Sequence, residues 1–234
     1  MRIYIGTSGF SYTPWRGSFY PEKFPAAKML AYYAERLDTV EINNTFYRMP
    51  APDMLAKWAA ETPPTFHFAI KSPRRITHEK KLADVGDSLT RLREAATTLG
   101  ERLGPVLFQL PPFMKKDLPR LQEFLSTLAQ LPPGLRAAME FRHASWFTPD
   151  VYEALRARDV ALCLAESEDL ATPIEETSTW GYLRLRRQDY DDAALAVWAE
   201  RVKARAWQSA YVFFKHEDEG VGPKLAAKFR ALVA

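Results

Sequence analysis

The sequence predicts a single (β/α)8 barrel of the TIM type, a closed parallel sheet wrapped by helices. Three observations lead there. Eight short β-branched or aromatic runs punctuate the chain, a helix-compatible stretch follows nearly every run, and the length of 234 residues suits a barrel that needs ~250. The first run is RIYIGTS (2–8), followed by an aromatic loop and a helix over 26–37 with Met29, Leu30, Tyr33 and Leu37 on one stripe. TVEINNTFY (39–47) comes next, and the Pro52-Asp53 pair opens a helix over 52–60. FHFAIKS (66–72) precedes a helix over 88–99 whose Leu89, Leu92, Ala96 and Leu99 share a face. PVLFQL (105–110) leads to 118–131 behind Asp117, and LRAAMEFR (135–142) leads through Thr148-Pro149 to 150–158. ALCLAES (161–167) is followed by EDLATPIEETST, whose proline and weak periodicity predict a loop or one short turn. WGYLRLR (180–186) and SAYVFFKH (209–216) complete the set, with helices over 192–205 and 223–233. Proline pairs such as Pro63-Pro64 and Pro111-Pro112 fall at the joints, where a residue that cannot donate to a ladder does no harm. An open doubly wound or mixed α+β sheet is the alternative, and eight units favour closure.

Composition narrows the function classes. Hydrophobic residues make up 47% and charged residues 26%, the balance of a soluble globular domain. The lone Cys163 lies in an apolar run, so there is no disulfide framework and its simplest role is a small buried hydrophobe. No charged leader precedes an apolar segment, and no run approaches ~18 apolar residues. A cytoplasmic protein with no membrane partner is expected. The net charge of +3 permits anionic ligands without the Lys/Arg blocks of a nucleic-acid arm.

Strand alternation places the polar residues. In a barrel the outward set meets helices and the inward set fills the bore. Strand two then sends Val40, Ile42 and Phe46 outward and Glu41, Asn43 and Thr45 inward. Strand three sends His67, Ala69 and Lys71 inward, strand four Gln109, strand five Glu140 and Arg142, and strand seven Arg184 and Arg186. Strands one, six and eight are ambiguous. Charges in such a bore must pair with each other or with a ligand; Glu41–Lys71 and Glu140–Arg142 are the pairs expected of a purely structural plug. The loops bring Tyr12, Trp15 and Arg16 after strand one, Arg74, Arg75 and His78 after strand three, and His143 and Trp146 after strand five. Arginine suits capture of phosphate or carboxylate, and histidine exchanges protons near neutral pH. A satisfied structural histidine is the competing reading for each.

IGTSGFSY, W-x-G-x-FYP, TVEINNTFYR, FAIKSPRRITH, LGPVLFQLPP and EFRHASW occur in this order. Together they resemble the YecE-like family, domain of unknown function seventy-two, from residue 2 to about 215. The resemblance implies a TIM-type barrel without an established activity. Its polar positions map here onto Ser8, Glu41, Asn43, Thr45, Tyr47, Lys71, Arg75, His78, Gln109, Glu140, Arg142, His143 and Trp146. The last third departs from the pattern: Arg186-Arg187 replace His-Gly, Lys215-His216 replace paired asparagines, and Glu166 stands for an aspartate.

Three functions follow as expectations. The first is an enzyme acting by acid/base chemistry on a small anionic compound, with Lys71, Arg142 and Arg184 holding the anion, Glu41 or Glu140 as general base and His143 as acid. Ser8, Tyr12, Trp15, Asn43, Tyr47, Arg75, His78, Gln109 and Trp146 would line the substrate. The second is a nucleic-acid-binding or phosphodiester-processing protein, with the arginines on the backbone and Trp15, Tyr47 and Trp146 stacking on bases. The third is a non-catalytic ligand-binding barrel. No GxGxxG, P-loop or GxSxG occurs. The four histidines have neither HxH nor HExxH spacing, so no metal site is expected and no cofactor is indicated. Glu217, Asp218 and Glu219 read as a solvated turn. Oligomeric state is open.

Overall fold

Eight parallel strands hydrogen-bond in chain order and the eighth returns to the first, closing the barrel. The computed structural model describes residues 1–48, 50–132, 135–166 and 170–234. The strands are β1 (Arg2–Ser8), β2 (Thr39–Ile42), β3 (His67–Lys71), β4 (Leu103–Gln109), β5 (Ala137–Glu140), β6 (Ala161–Glu166), β7 (Trp180–Leu185) and β8 (Ser209–Phe214). Around them run α1 (Met29–Ala34), α2 (Pro52–Ala60), α3 (Gly86–Ala96), α4 (Leu118–Gln130), α5 (Pro149–Arg156), α6 (Asp192–Lys203) and α7 (Val221–Val233). Among the described residues no α-helix follows β6, as the weak periodicity there predicts; Ser167 and Glu168–Asp169 at that junction lie outside the described residues, as does Pro133.

The core has two compartments. Val40, Ile42, Phe68, Ile70, Val106, Phe108, Met139, Phe141, Leu183 and Leu185 face outward and are buried against the helices. The inward set, including Tyr4, Ala69, Leu107, Ala138, Cys163, Tyr182, Tyr211 and Phe213, fills the bore. The barrel is therefore packed solid, as burial of two sets of side chains on opposite faces of one sheet demands. Strands one, six and eight take their parity from this compartment, with Tyr4, Cys163 and Tyr211 inward. Burial pushes the Cys163 thiol well up, which keeps it protonated and inert.

One strand end and one helix start differ from the sequence reading. The run 39–47 is a strand only to Ile42; Asn44–Phe46 form a 3-10 turn whose Thr45 hydroxyl donates to the carbonyls of Ile42 and Lys71. That turn swings Phe46 off the helix-facing side and onto the barrel mouth. The helix over 26–37 likewise begins as a 3-10 turn, Ala26–Lys28, before α1.

Candidate functional site

The carboxyl ends of the strands enclose a cavity of 610 Å³. Its chemistry is built on the end of β7. Arg184 is fully buried, and its guanidinium donates through Nη1 to Glu140 Oε2 at 2.6 Å and through Nη2 to Glu41 Oε1 at 2.9 Å. One arginine from β7 thus bridges carboxylates from β2 and β5. Glu41 also accepts from Ser8 Oγ at 2.6 Å and from the Tyr182 hydroxyl at 2.7 Å, and Glu140 accepts from Gln109 Nε2 at 2.8 Å. Each carboxylate accepts at least two hydrogen bonds from buried donors, a condition under which charge is tolerated in a low-dielectric bore. Burial alone would push the Glu140 carboxyl up, yet the Arg184 and Arg186 guanidiniums and the Gln109 amide hold it below the ordinary value. Burial and Glu41 push the Tyr182 phenol well up, so it stays a donor.

Neither carboxylate lines the cavity. What faces it is what they hold, Arg184 and Gln109, together with Lys71, Arg74, Arg142, Arg186 and Lys215. The remaining lining comprises Tyr12, Asn43, Asn44, Phe46, Tyr47, His78 and a single acid, Glu217. Lys215 lies 4.0 Å from Glu217, and Arg186 lies 3.6 Å from Glu140. Lys71 and Arg142 have no ion-pair partner among the described residues, so the expected pairs Glu41–Lys71 and Glu140–Arg142 are not formed. Arg184, reaching between both acids, takes their place.

Desolvation marks the mouth. Burial first, then the Arg184 charge, lowers the Lys71 ammonium to about 8, against the opposing pull of Glu41 and Glu140. Burial, then Lys71, Arg74 and Arg142, lowers the His78 imidazole. His78 is presented by a single π-helical turn, Arg75–Glu79, and its ring meets Phe46 edge-on; such turns recur at functional sites. Burial and the nearby glutamates raise the Tyr12 phenol to about 12, and its hydroxyl donates to the Ser8 carbonyl. Gly9, at φ 90°, makes this approach feasible, because a Cβ there would sit 2.3 Å from the Tyr12 hydroxyl oxygen.

The structure brings Tyr12, Asn43, Tyr47, Lys71, His78, Gln109, Arg142 and Arg184 to the cavity, with Ser8, Glu41 and Glu140 directly beneath. Four expected residues stand elsewhere. Trp15 and Trp146 are fully buried; Trp146 stacks on Phe141 and donates to the Met114 carbonyl, while Trp15 packs among Tyr12, Phe19 and Tyr20. His143 accepts from the Ser145 backbone N–H and caps a short 3-10 turn. Arg75 lines an adjoining depression beside Ser88, which shares Phe46, Tyr47 and Arg74 with the mouth. Loop aromatics near a mouth are drawn into the core by their own area, which spacing alone does not reveal. Arg74, Lys215, Glu217, Asn44 and Phe46 were missing from the expected lining; β8 parity would have supplied Lys215. Glu166, the acid closing β6, is spent on Tyr190 and the Trp198 indole. Among the described residues no cluster of three metal-ligating side chains occurs, and no helix is long and apolar enough to cross a membrane.

Fold and mouth together define a TIM-type barrel protein with a basic pocket at the carboxyl ends of its strands. The chain belongs to the DUF72 family: the model described as "Protein of unknown function DUF72" matches residues 4–234. It is similar to the UPF0759 protein YunF of Bacillus subtilis, 31% identical over 160 residues covering 64% of this chain and 54% of that one. The UPF0759 protein YecE of Escherichia coli K12 is 31% identical over 146 residues, 62% of this chain and 50% of its own. The chain thus matches about half the length of these curated relatives. A DUF72 family protein from Thermotoga maritima has the same fold with a TM-score of 0.82 at 27% identity, covering 100% of this chain and 99% of that one. A second, from Enterococcus faecalis, gives 0.79 at 19% identity over 99% and 95%, a likeness of fold alone.

Proposed function

We propose that the mouth binds a small anionic molecule, a phosphate or carboxylate compound, and acts on it by acid/base chemistry. The observation that carries this reading is the surplus of cations. Among the described residues, Lys71 and Arg142 face the cavity without a carboxylate of their own. An anion in the cavity supplies the missing charge.

The carboxylates take a positioning part in this reading. Glu41 and Glu140 are engaged by buried donors, the Glu140 carboxyl is held below its ordinary value, and neither lines the cavity. They orient Arg184 and Gln109 toward it. Proton transfer falls instead to Lys71, whose amine titrates at about 8, with His78 beside it as a neutral base. His143, turned to its cap, has no part.

The test is turnover of a panel of phosphate esters and carboxylic acids. Lys71→Ala is expected to abolish turnover of the true substrate with the fold intact by circular dichroism. Arg142→Ala is expected to raise KM with a smaller effect on kcat. Unchanged turnover in both variants would remove the assignment.

A further inference from the structure

We propose that Lys71 is a covalent nucleophile, its amine condensing with a small anionic aldehyde or 2-oxo acid held in the barrel mouth to form an imine. The proposal deepens the anion reading and rests on it. Its ground is the placement of the amine. Lys71 ends β3 and lines the cavity, and its Nζ lies 4.5 Å from the centre of the Phe46 ring. Both nearby carboxylates are committed to other donors. Glu41 serves Ser8, Tyr182 and Arg184, and Glu140 serves Gln109 and Arg184. Among the described residues the lysine has no hydrogen-bond acceptor; it is half-buried, with the Arg184 guanidinium for a neighbour. Desolvation and an adjacent cation are the two means by which a lysine becomes a nucleophile.

The magnitudes favour the reaction. With its titration lowered to about 8, roughly a tenth of the amine is free base at pH 7, against about 0.03% for an ordinary lysine. Lys215 is also lowered by burial and by Arg186, but Glu217 stands beside it as counter-ion, so Lys71 is the better nucleophile. The charged groups that face Lys71 are Arg184 from β7, Glu41 from β2, Glu140 from β5, Lys215 after β8 and His78 after β3.

The step balances without an oxidant or reductant. The Lys71 nitrogen bonds to the carbonyl carbon, the carbonyl oxygen takes a proton, and the nitrogen gives one up. Protonation of that hydroxyl then releases water as the C–O bond breaks, leaving a protonated imine. His78 is placed to relay these protons. Arg142 and Arg186 hold the carboxylate or phosphate.

The experiment treats the whole chain with glyoxylate, and separately with glycolaldehyde phosphate, in sodium cyanoborohydride, and maps the reduced adduct by peptide mass. The expected result is one adduct on Lys71, forming at least tenfold faster than on exposed lysines such as Lys57, with a rate that rises through about pH 8. Inorganic phosphate should slow it, and Lys71→Met should abolish the fast phase. Labelling spread evenly over surface lysines, or a fast phase that survives in Lys71→Met, overturns the proposal. Titration of inorganic phosphate into the wild-type protein separates the two readings. Phosphate binding without a fast adduct leaves the anion site standing and removes the imine. A fast adduct without phosphate binding does the reverse.

Discussion

The two ends of the bore are built from residues of the same strand parity, yet they solve their polar groups in opposite ways. At the amino end Tyr4 stacks on His67 at 4.3 Å and on Tyr211 at 4.6 Å, and the Tyr211 hydroxyl is bonded to His67 Nδ1 at 2.6 Å. Arg2 lies over the Tyr4 ring, and Arg136 lies over Trp180 while bonding Ser209. Cations there rest on aromatic faces, which need no counter-ion. At the carboxyl end Lys71 also lies over an aromatic ring, that of Phe46, but the acids beneath are taken by Arg184 and Arg186, so among the described residues Lys71 and Arg142 face the cavity without a carboxylate. The first end is closed on itself and contributes stability. The second is short of acceptors, the condition of a site prepared for an anion, and it lies where barrels of this type carry their chemistry.

Breaking the Arg184 bridge is expected to have the largest effect. Arg184→Met strands two buried carboxylates and should cost about 3–5 kcal/mol in urea unfolding at pH 7; a loss under 1 kcal/mol would mean that water already reaches the bridge.

Lys71→Met should move stability the other way. The fold lowers this ammonium from 10.5 to about 8, so the charged form opposes folding below that pH. Discounted for partial exposure, the variant should gain about 1 kcal/mol at pH 7 while losing phosphate affinity. The gain should vanish above about pH 10.5.

His67 provides the matching test at the amino end. Burial, then Arg2 and Arg136, lowers its imidazole from 6.5 to about 4. The unfolded chain therefore binds a proton first as pH falls, and stability contributed by neutral His67 is lost from about pH 6.5 down through 4. His67→Phe, which keeps a ring against Tyr4, should flatten that part of the unfolding curve without altering phosphate binding. The smallest change is expected from His143→Ala. Loss of its cap should cost about 1 kcal/mol and leave affinity within twofold.

Much of this contrast is legible in the sequence. Alternation along EIN, AIK, FQL, MEF and LRLR correctly sends Glu41, Lys71, Gln109, Glu140 and Arg184 inward, because a sheet buried on both faces sorts side chains by a strict period of two. The same alternation cannot reveal partners. It pairs Glu41 with Lys71 by proximity along neighbouring strands, whereas the longer reach of Arg184 from across the bore wins both acids. Period-two reasoning also fails where the strand stops, so Phe46 is misplaced by a 3-10 turn one residue beyond Asn43. In β6 and β8 both faces are largely apolar and in β1 both carry polar residues, so only the closed barrel decides which side Tyr4, Cys163 and Tyr211 occupy. Trp15 and Trp146 show the remaining gap: a polar loop carries them, and their burial is settled by packing against distant residues such as Met114.

The central claim is that the carboxyl end of the barrel is an anion site built on unmatched cations. Calorimetric titration of inorganic phosphate into the wild-type protein, Lys71→Met and His67→Phe at two ionic strengths tests it directly. One saturable site is predicted in the wild type, weakened by salt, preserved in His67→Phe and lost in Lys71→Met. Absence of binding to the wild type, or equal binding by all three proteins, would contradict it.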